Sequence, residues 1–159
     1  MVGRYVLAGV LAGLAGGVVF GLMMQFMTAP APDDGRVPMM QMVANVVRSE
    51  NLAVGWIYHL FNSAVLGAIF GLLAGNRLHS YPIAVGVGAM YGLVWWVLGA
   101  LILMPVFLGM APFAPLIMAT MVPVARGSLV GHLIYGVILG TGYLAILAPR
   151  MPALGNFGR

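Results

Sequence analysis

His59-Leu60-Phe61-Asn62-Ser63-Ala64-Val65-Leu66-Gly67 returns 73 positions later as His132-Leu133-Ile134-Tyr135-Gly136-Val137-Ile138-Leu139-Gly140. In a chain of 159 residues this spacing predicts two tandem halves, each with one histidine inside an apolar run. An ionisable side chain is costly in a bilayer, so a histidine in such a run is a functional lead.

The surrounding composition names the solvent. Hydrophobic residues make up 62% of the chain and charged residues 6%, against roughly 25% charged in an ordinary soluble domain. So apolar a chain is expected to lie in lipid. Its formal charge of +4 comes from seven arginines, with no lysine. They are scattered singly rather than in a basic stripe, which argues against nucleic acid as a partner and fits anchoring at a membrane surface. The absence of cysteine excludes disulfides, thiolate metal sites and cysteine nucleophiles.

A bilayer core about 30 Å thick requires about 20 apolar residues in helix. Four segments qualify, at 5–27, 53–75, 82–104 and 128–148. The first, preceded by Arg4 and followed by Ala29-Pro30-Ala31, has the flanks of a secretory signal. It is far longer than the usual h-region of about 7–15 residues, so it reads as a span. Loops are expected at 29–35, at 76–80 and from Pro149-Arg150.

The fold class expected is therefore an all-α integral membrane protein. It forms a single membrane domain over 1–159, with four transmembrane helices in two span-connector-span repeats, at about 5–75 and 81–148. In the first connector, Met39, Met42, Val43, Val46 and Val47 fall on one helical face and Gln41, Asn45 and Arg48 on the other. This predicts an amphipathic helix of about three turns. The second connector, 105–125, carries Pro105, Pro112, Pro115 and Pro123, which predict a broken or re-entrant segment, or alternatively an irregular fifth span. Arg4, Arg77, Arg150 and Arg159 fall on one side. Arg36, Arg48 and Arg126 fall on the other, with Asp33, Asp34 and Glu50. The balance favours cytoplasmic termini.

Small residues predict how the spans associate. Gly9, Gly13, Gly17 and Gly21 form an unbroken four-residue series in the first span. Gly67, Gly71 and Gly75 continue the spacing in the second, Gly88 and Gly92 in the third, and Gly136 and Gly140 in the fourth. Glycines at this spacing let helix backbones approach closely. The series in the first span predicts either a central place in the bundle or a seam between copies. A shift of 75 also relates Gly13 to Gly88, Gly17 to Gly92 and Pro30 to Pro105, as duplication would.

His59, Asn62, Ser63 and Gly67 share one helical stripe, as do His132, Tyr135, Gly136, Gly140 and Tyr143. Both stripes are expected to face the bundle interior. Met24, Met27 and Met104 are expected at similar depth. Imidazole with thioether can hold Cu(I), and two imidazoles can hold haem iron. The candidate cofactor site is thus His59 and His132, and the candidate metal site adds Met24, Met27 and Met104. The competing reading makes the histidines interhelical glue through partners such as Asn62 or Tyr135, with methionine as packing. His79 is expected to be solvated, and Ser49, Asn51 and Ser128 are candidate helix caps.

The chain has no Gly-x-Ser-x-Gly, phosphate-binding glycine loop or His-Glu-x-x-His, and no carboxylate within the expected spans. No enzymatic activity is expected. The four-span layout, with Tyr58-His59-Leu60-Phe61-Asn62 and a later Gly131-His132-Leu133, resembles the YagU-like bacterial inner-membrane proteins. That resemblance implies a multi-pass protein of the bacterial cytoplasmic membrane and no particular activity. Three functions follow as expectations. The first is a non-catalytic accessory or scaffold subunit in a homo-oligomer or larger membrane complex. The others are a protein holding haem b or copper on its paired histidines, and a small channel or carrier.

Overall fold

The computed structural model describes residues 2–31 and 35–148. Four helices, α1 (Val2–Phe26), α3 (Leu52–Ala74), α4 (Tyr81–Phe107) and α6 (Val122–Leu147), are each long and apolar enough to cross a membrane. Between them lie strands β1 (Thr28–Pro30) and β2 (Arg36–Pro38), helix α2 (Met39–Val46) and the one-turn helix α5 (Ala114–Ile117). Of the residues read above, Asp33, Asp34, Pro149, Arg150 and Arg159 lie outside the described residues.

Helices α1, α3 and α4 fall where spans were expected. The fourth begins at Val122 rather than 128 because Pro123 sits in its first turn, where no N–H donor is required. Ser128 is consequently inside α6 and not its cap, and its hydroxyl donates to the Ala125 carbonyl at 2.9 Å. Asn51 does cap α3, accepting the Ala53 N–H at 2.9 Å.

Helix α4 runs through Pro105 instead of ending before it. Residues Trp96–Leu103 are wound as π-helix. Pro105 has no N–H to offer the Leu101 carbonyl one turn back. That carbonyl instead accepts from the Phe113 N–H at 2.6 Å, which folds the connector back along the helix. Beyond Phe107 the chain is broken into turns and α5, as its prolines predict. No fifth long helix occurs among the described residues.

The first connector differs from its expected form in two ways. It opens with a hairpin that the sequence reading lacked, in which Ala29 pairs with Val37. Its helix, α2, is also shorter than three turns. It stops at Val46, and Arg48 then takes a left-handed backbone (φ 59°). Met39, Met42 and Val43 are buried as expected, but so are Met40 and Ala44, because Gly55 of α3 lets the α2 backbone lie directly against it. Val47, expected on the apolar face, is exposed.

Glycine determines the helix order. A methyl group on Gly9 would strike the Gly67 carbonyl, and one on Gly71 the Tyr5 carbonyl. This is the α1–α3 seam. In the α4–α6 seam, Gly88 faces the Gly136 carbonyl, Gly92 the His132 carbonyl and Gly140 the Ala84 carbonyl. The opposite side of α1 meets α6, with Gly16 against Tyr135 and Ala12 against Gly142. Helix α1 is therefore central, flanked by α3 and α6, and α4 lies outside α6. Its glycine series is used within the chain, on α3.

No comparable backbone seam joins α3 to α4. Side chains bridge that gap: the Tyr91 hydroxyl donates to the Leu66 carbonyl at 2.7 Å. The Phe70 ring stands edge-on to Tyr91 at 5.1 Å and to Tyr143 at 5.5 Å.

Candidate binding cleft

Above that aromatic cluster the two pairs of helices part and leave a cleft of roughly 270 Å³. Helix α3 contributes Tyr58, His59, Asn62 and Ser63, and α6 contributes Ser128, His132 and Tyr135. The π-helical turn of α4 supplies Gly99, Ala100 and Leu103. Nothing lies within 4 Å of where a Gly99 side chain would begin. Phe20 and Met24 of α1 complete the inner wall, and α2 covers one end with Met39 and Met42. Val65, Leu103 and Phe107 on the rim are exposed, so the cleft opens to the outside between α3 and α4.

Both candidate histidines line this one cleft. Phe20 stands edge-on to each, with ring centroids 5.5 Å from His59 and 4.8 Å from His132. His59 is buried in the α1–α3 seam, where its Nε2 lies 2.8 Å from the Gly17 carbonyl oxygen. The Nδ1 of His132 lies 2.7 Å from the carbonyl oxygen of Ser128, one turn back on its own helix. A carbonyl can only accept, so in each ring the bonded nitrogen carries the proton. In a neutral imidazole the other nitrogen is then an acceptor. Asn62 and Tyr135, the partners suggested by sequence, bind neither imidazole.

The remaining polar groups fall into two sets. The Ser63 hydroxyl donates to the His59 carbonyl, Tyr135 to the Ser63 carbonyl, and Trp96 Nε1 to the Ser128 hydroxyl. His59 Nδ1, His132 Nε2, the Asn62 amide and the Tyr58 hydroxyl have no partner among the described residues. Yet no buried side-chain nitrogen or oxygen among those residues goes unpaired. These four groups must therefore keep accessible surface. For residues lining this cleft, they offer hydrogen-bonding capacity to whatever enters it.

The methionines divide differently from expectation. Met24 and Met104 line the cleft, whereas Met27 does not: its methyl group packs against Gly127. Met39, Met42, Met110 and Met121 join the first two, so six of the chain's thirteen methionines are on this wall. Imidazole and thioether are soft, uncharged donors, which suit Cu(I) among the common ions. No group of three or more His, Cys, Asp or Glu suited to a metal exists among the described residues. A haem held between the imidazoles would have to displace Phe20, which contacts both rings.

His79 is exposed in the 76–80 loop, as predicted. Phe20, Trp95 and Gly99 were not anticipated as cleft residues. Phe20 left one trace, as a lone aromatic within the glycine-rich part of α1, but nothing in the order of residues marks Gly99. Compared with known proteins, the chain matches no family model, no curated protein and no solved structure.

Proposed function

We propose that this is a four-span integral membrane protein, built as two similar units, that binds an apolar ligand without transforming it. The ligand occupies the cleft between the units. The observation that carries this reading is a pair of imidazoles on residues that line one largely apolar cavity, each with a second nitrogen that has no protein partner among the described residues and keeps accessible surface. A subunit serving only as scaffold has no use for such a cavity.

Membrane placement is supported by helices of 23 to 27 residues and by the apolar side chains on their outer faces, such as Ile57 at 70% and Phe61 at 63% exposure. About 20 residues suffice to cross. Arg4 and Arg77 share one end of the bundle with the α6 terminus, where Arg4 donates to the Leu147 carbonyl. Counting Arg150 and Arg159, which follow α6 in the sequence, four arginines stand against Arg36, Arg48 and Arg126, and the positive-inside tendency favours a cytoplasmic assignment for that end. The two-unit reading draws support from equivalent positions that meet near the centre. Phe70 and Tyr143, 73 residues apart, stack edge-on, while His59 and His132 share Phe20.

A continuous channel is disfavoured because Phe70, Tyr91 and Tyr143 fill the space between the units below the cleft. The six methionines favour a second reading, in which the cleft takes Cu(I). The test is to extract protein gently from its host membrane and analyse what co-purifies by mass spectrometry and elemental analysis. The proposal expects an apolar organic compound near one per chain that is absent from Gly99→Phe protein. Stoichiometric copper without such a compound would favour the second reading, and neither would leave the scaffold.

A further inference from the structure

The tautomers of the two imidazoles restrict which apolar compound the cleft suits. Gly17 and Ser128 each use a backbone carbonyl to fix the proton on one ring nitrogen. What each histidine presents to the cleft is thus a lone pair rather than an N–H. A ligand that carries only carbonyl or ether oxygens could accept from Asn62 or Tyr58 but would bring acceptors to these two acceptors, which leaves the imidazole nitrogens unsatisfied. A hydroxyl supplies the missing proton. The rest of the wall suits a flat, polarisable ring: Phe20, Tyr58 and Trp95 supply aromatic faces and edges, and thioethers contact aromatic rings favourably. Entry from the side fits as well, because the rim between α3 and α4 is made of exposed apolar residues.

We infer that the cleft selects a bilayer-soluble hydroxylated ring, a phenol or hydroquinone, whose hydroxyl donates to His59 Nδ1 or His132 Nε2. This rests on the reading of the cleft as a ligand site. Asn62 and Tyr58 are the further groups able to engage a second polar substituent.

The experiment uses the full chain in lipid nanodiscs under anaerobic conditions, with a mild reductant present only in the hydroquinone and Cu(I) titrations and omitted from those with the quinone and the ether. Three probes of one shape are titrated: a decyl-tailed hydroquinone, its dimethyl ether and the corresponding quinone, with binding read from tryptophan fluorescence. The hydroquinone is expected to bind about tenfold more tightly than either acceptor-only analogue, as loss of a buried hydrogen-bond partner implies. In His59→Phe/His132→Phe protein that preference should shrink to about twofold or less while ether binding persists. The wild-type comparison alone is decisive if the double variant fails to fold. Equal affinity for hydroquinone and ether would overturn the hydroxyl selection and leave the cleft reading standing. Binding of none of the three, together with no co-purifying apolar compound, would overturn both. Cu(I) that binds one per chain through the two histidines and displaces the hydroquinone would assign the lone pairs to metal and also overturn the inference.

Discussion

Helices α3 and α6 each have two sides that behave differently. On the side facing its glycine-rich neighbour, each lies backbone against backbone, with Gly67 on Gly9 and Gly136 on Gly88. On the side where the pairs face one another, His59, Asn62, His132 and Tyr135 leave a gap partly filled by rings. Within each pair there is no room for even a methyl group; between the pairs α1 also closes on α6, but on the α3–α4 side there is room for a guest. Close packing holds helices together where solvent gives no reward for association. Bulky, partly polar side chains at the other boundary prevent the same closure, and the cleft is the result.

The sharpest way to break this contrast is to enlarge a seam. Gly67→Leu should cost more than about 3 kcal/mol, because overpacking here pushes against backbone rather than a side chain that could turn away. Loss of the monodisperse folded species on size exclusion, or a collapsed unfolding midpoint in mild detergent, would register it. A far smaller effect is expected from Tyr135→Phe, which deletes the hydroxyl that crosses from α6 to the Ser63 carbonyl at 3.0 Å. About 1 kcal/mol of stability should disappear in the same unfolding assay. Gly86→Ala lies on the exposed face of α4 with open space around it, so it should stabilise the helix by up to about 1 kcal/mol. Gly99→Phe sharpens the comparison from the cleft side: because the added side chain starts in open space and enters the cleft, it should cost far less stability than Gly67→Leu, about 1 kcal/mol or less, but leave no bound apolar compound. A Gly99 variant as damaging as the Gly67 variant would mean that the two boundaries are not different in kind.

Much of this was legible in the order of residues because the signals were local. Apolar run length located the four long helices, and four-residue glycine spacing located the seams. The similarity of the two histidine segments, which share four of nine residues, led to the expectation of both imidazoles in one pocket, and both line the cleft. What escaped depended on contacts distant in sequence. Pro105 reads as a helix breaker until Phe113 is seen to serve the carbonyl it abandons. Pro123 reads the same way until it is found in a first turn, where proline is welcome. The short β1–β2 hairpin has too few residues to show a period. Both histidine partners proved to be backbone carbonyls, and no side-chain pattern can predict those. Met27 was grouped with Met24 by depth, although it packs on Gly127 instead of lining the cleft.

The proposed function rests on an opening between α3 and α4 that leads to the residues of the two imidazoles and, in the proposed membrane placement, faces lipid. Photolabelling tests it directly: an apolar diazirine dissolved in the bilayer of protein-containing nanodiscs, activated by light, with adducts mapped by peptide mass spectrometry. Adducts on cleft residues such as Phe20, His59 and Trp95, suppressed by excess hydroquinone, are the predicted result. Labelling confined to outward-facing Ile57, Phe61 and Leu72, with the cleft residues untouched, would contradict it.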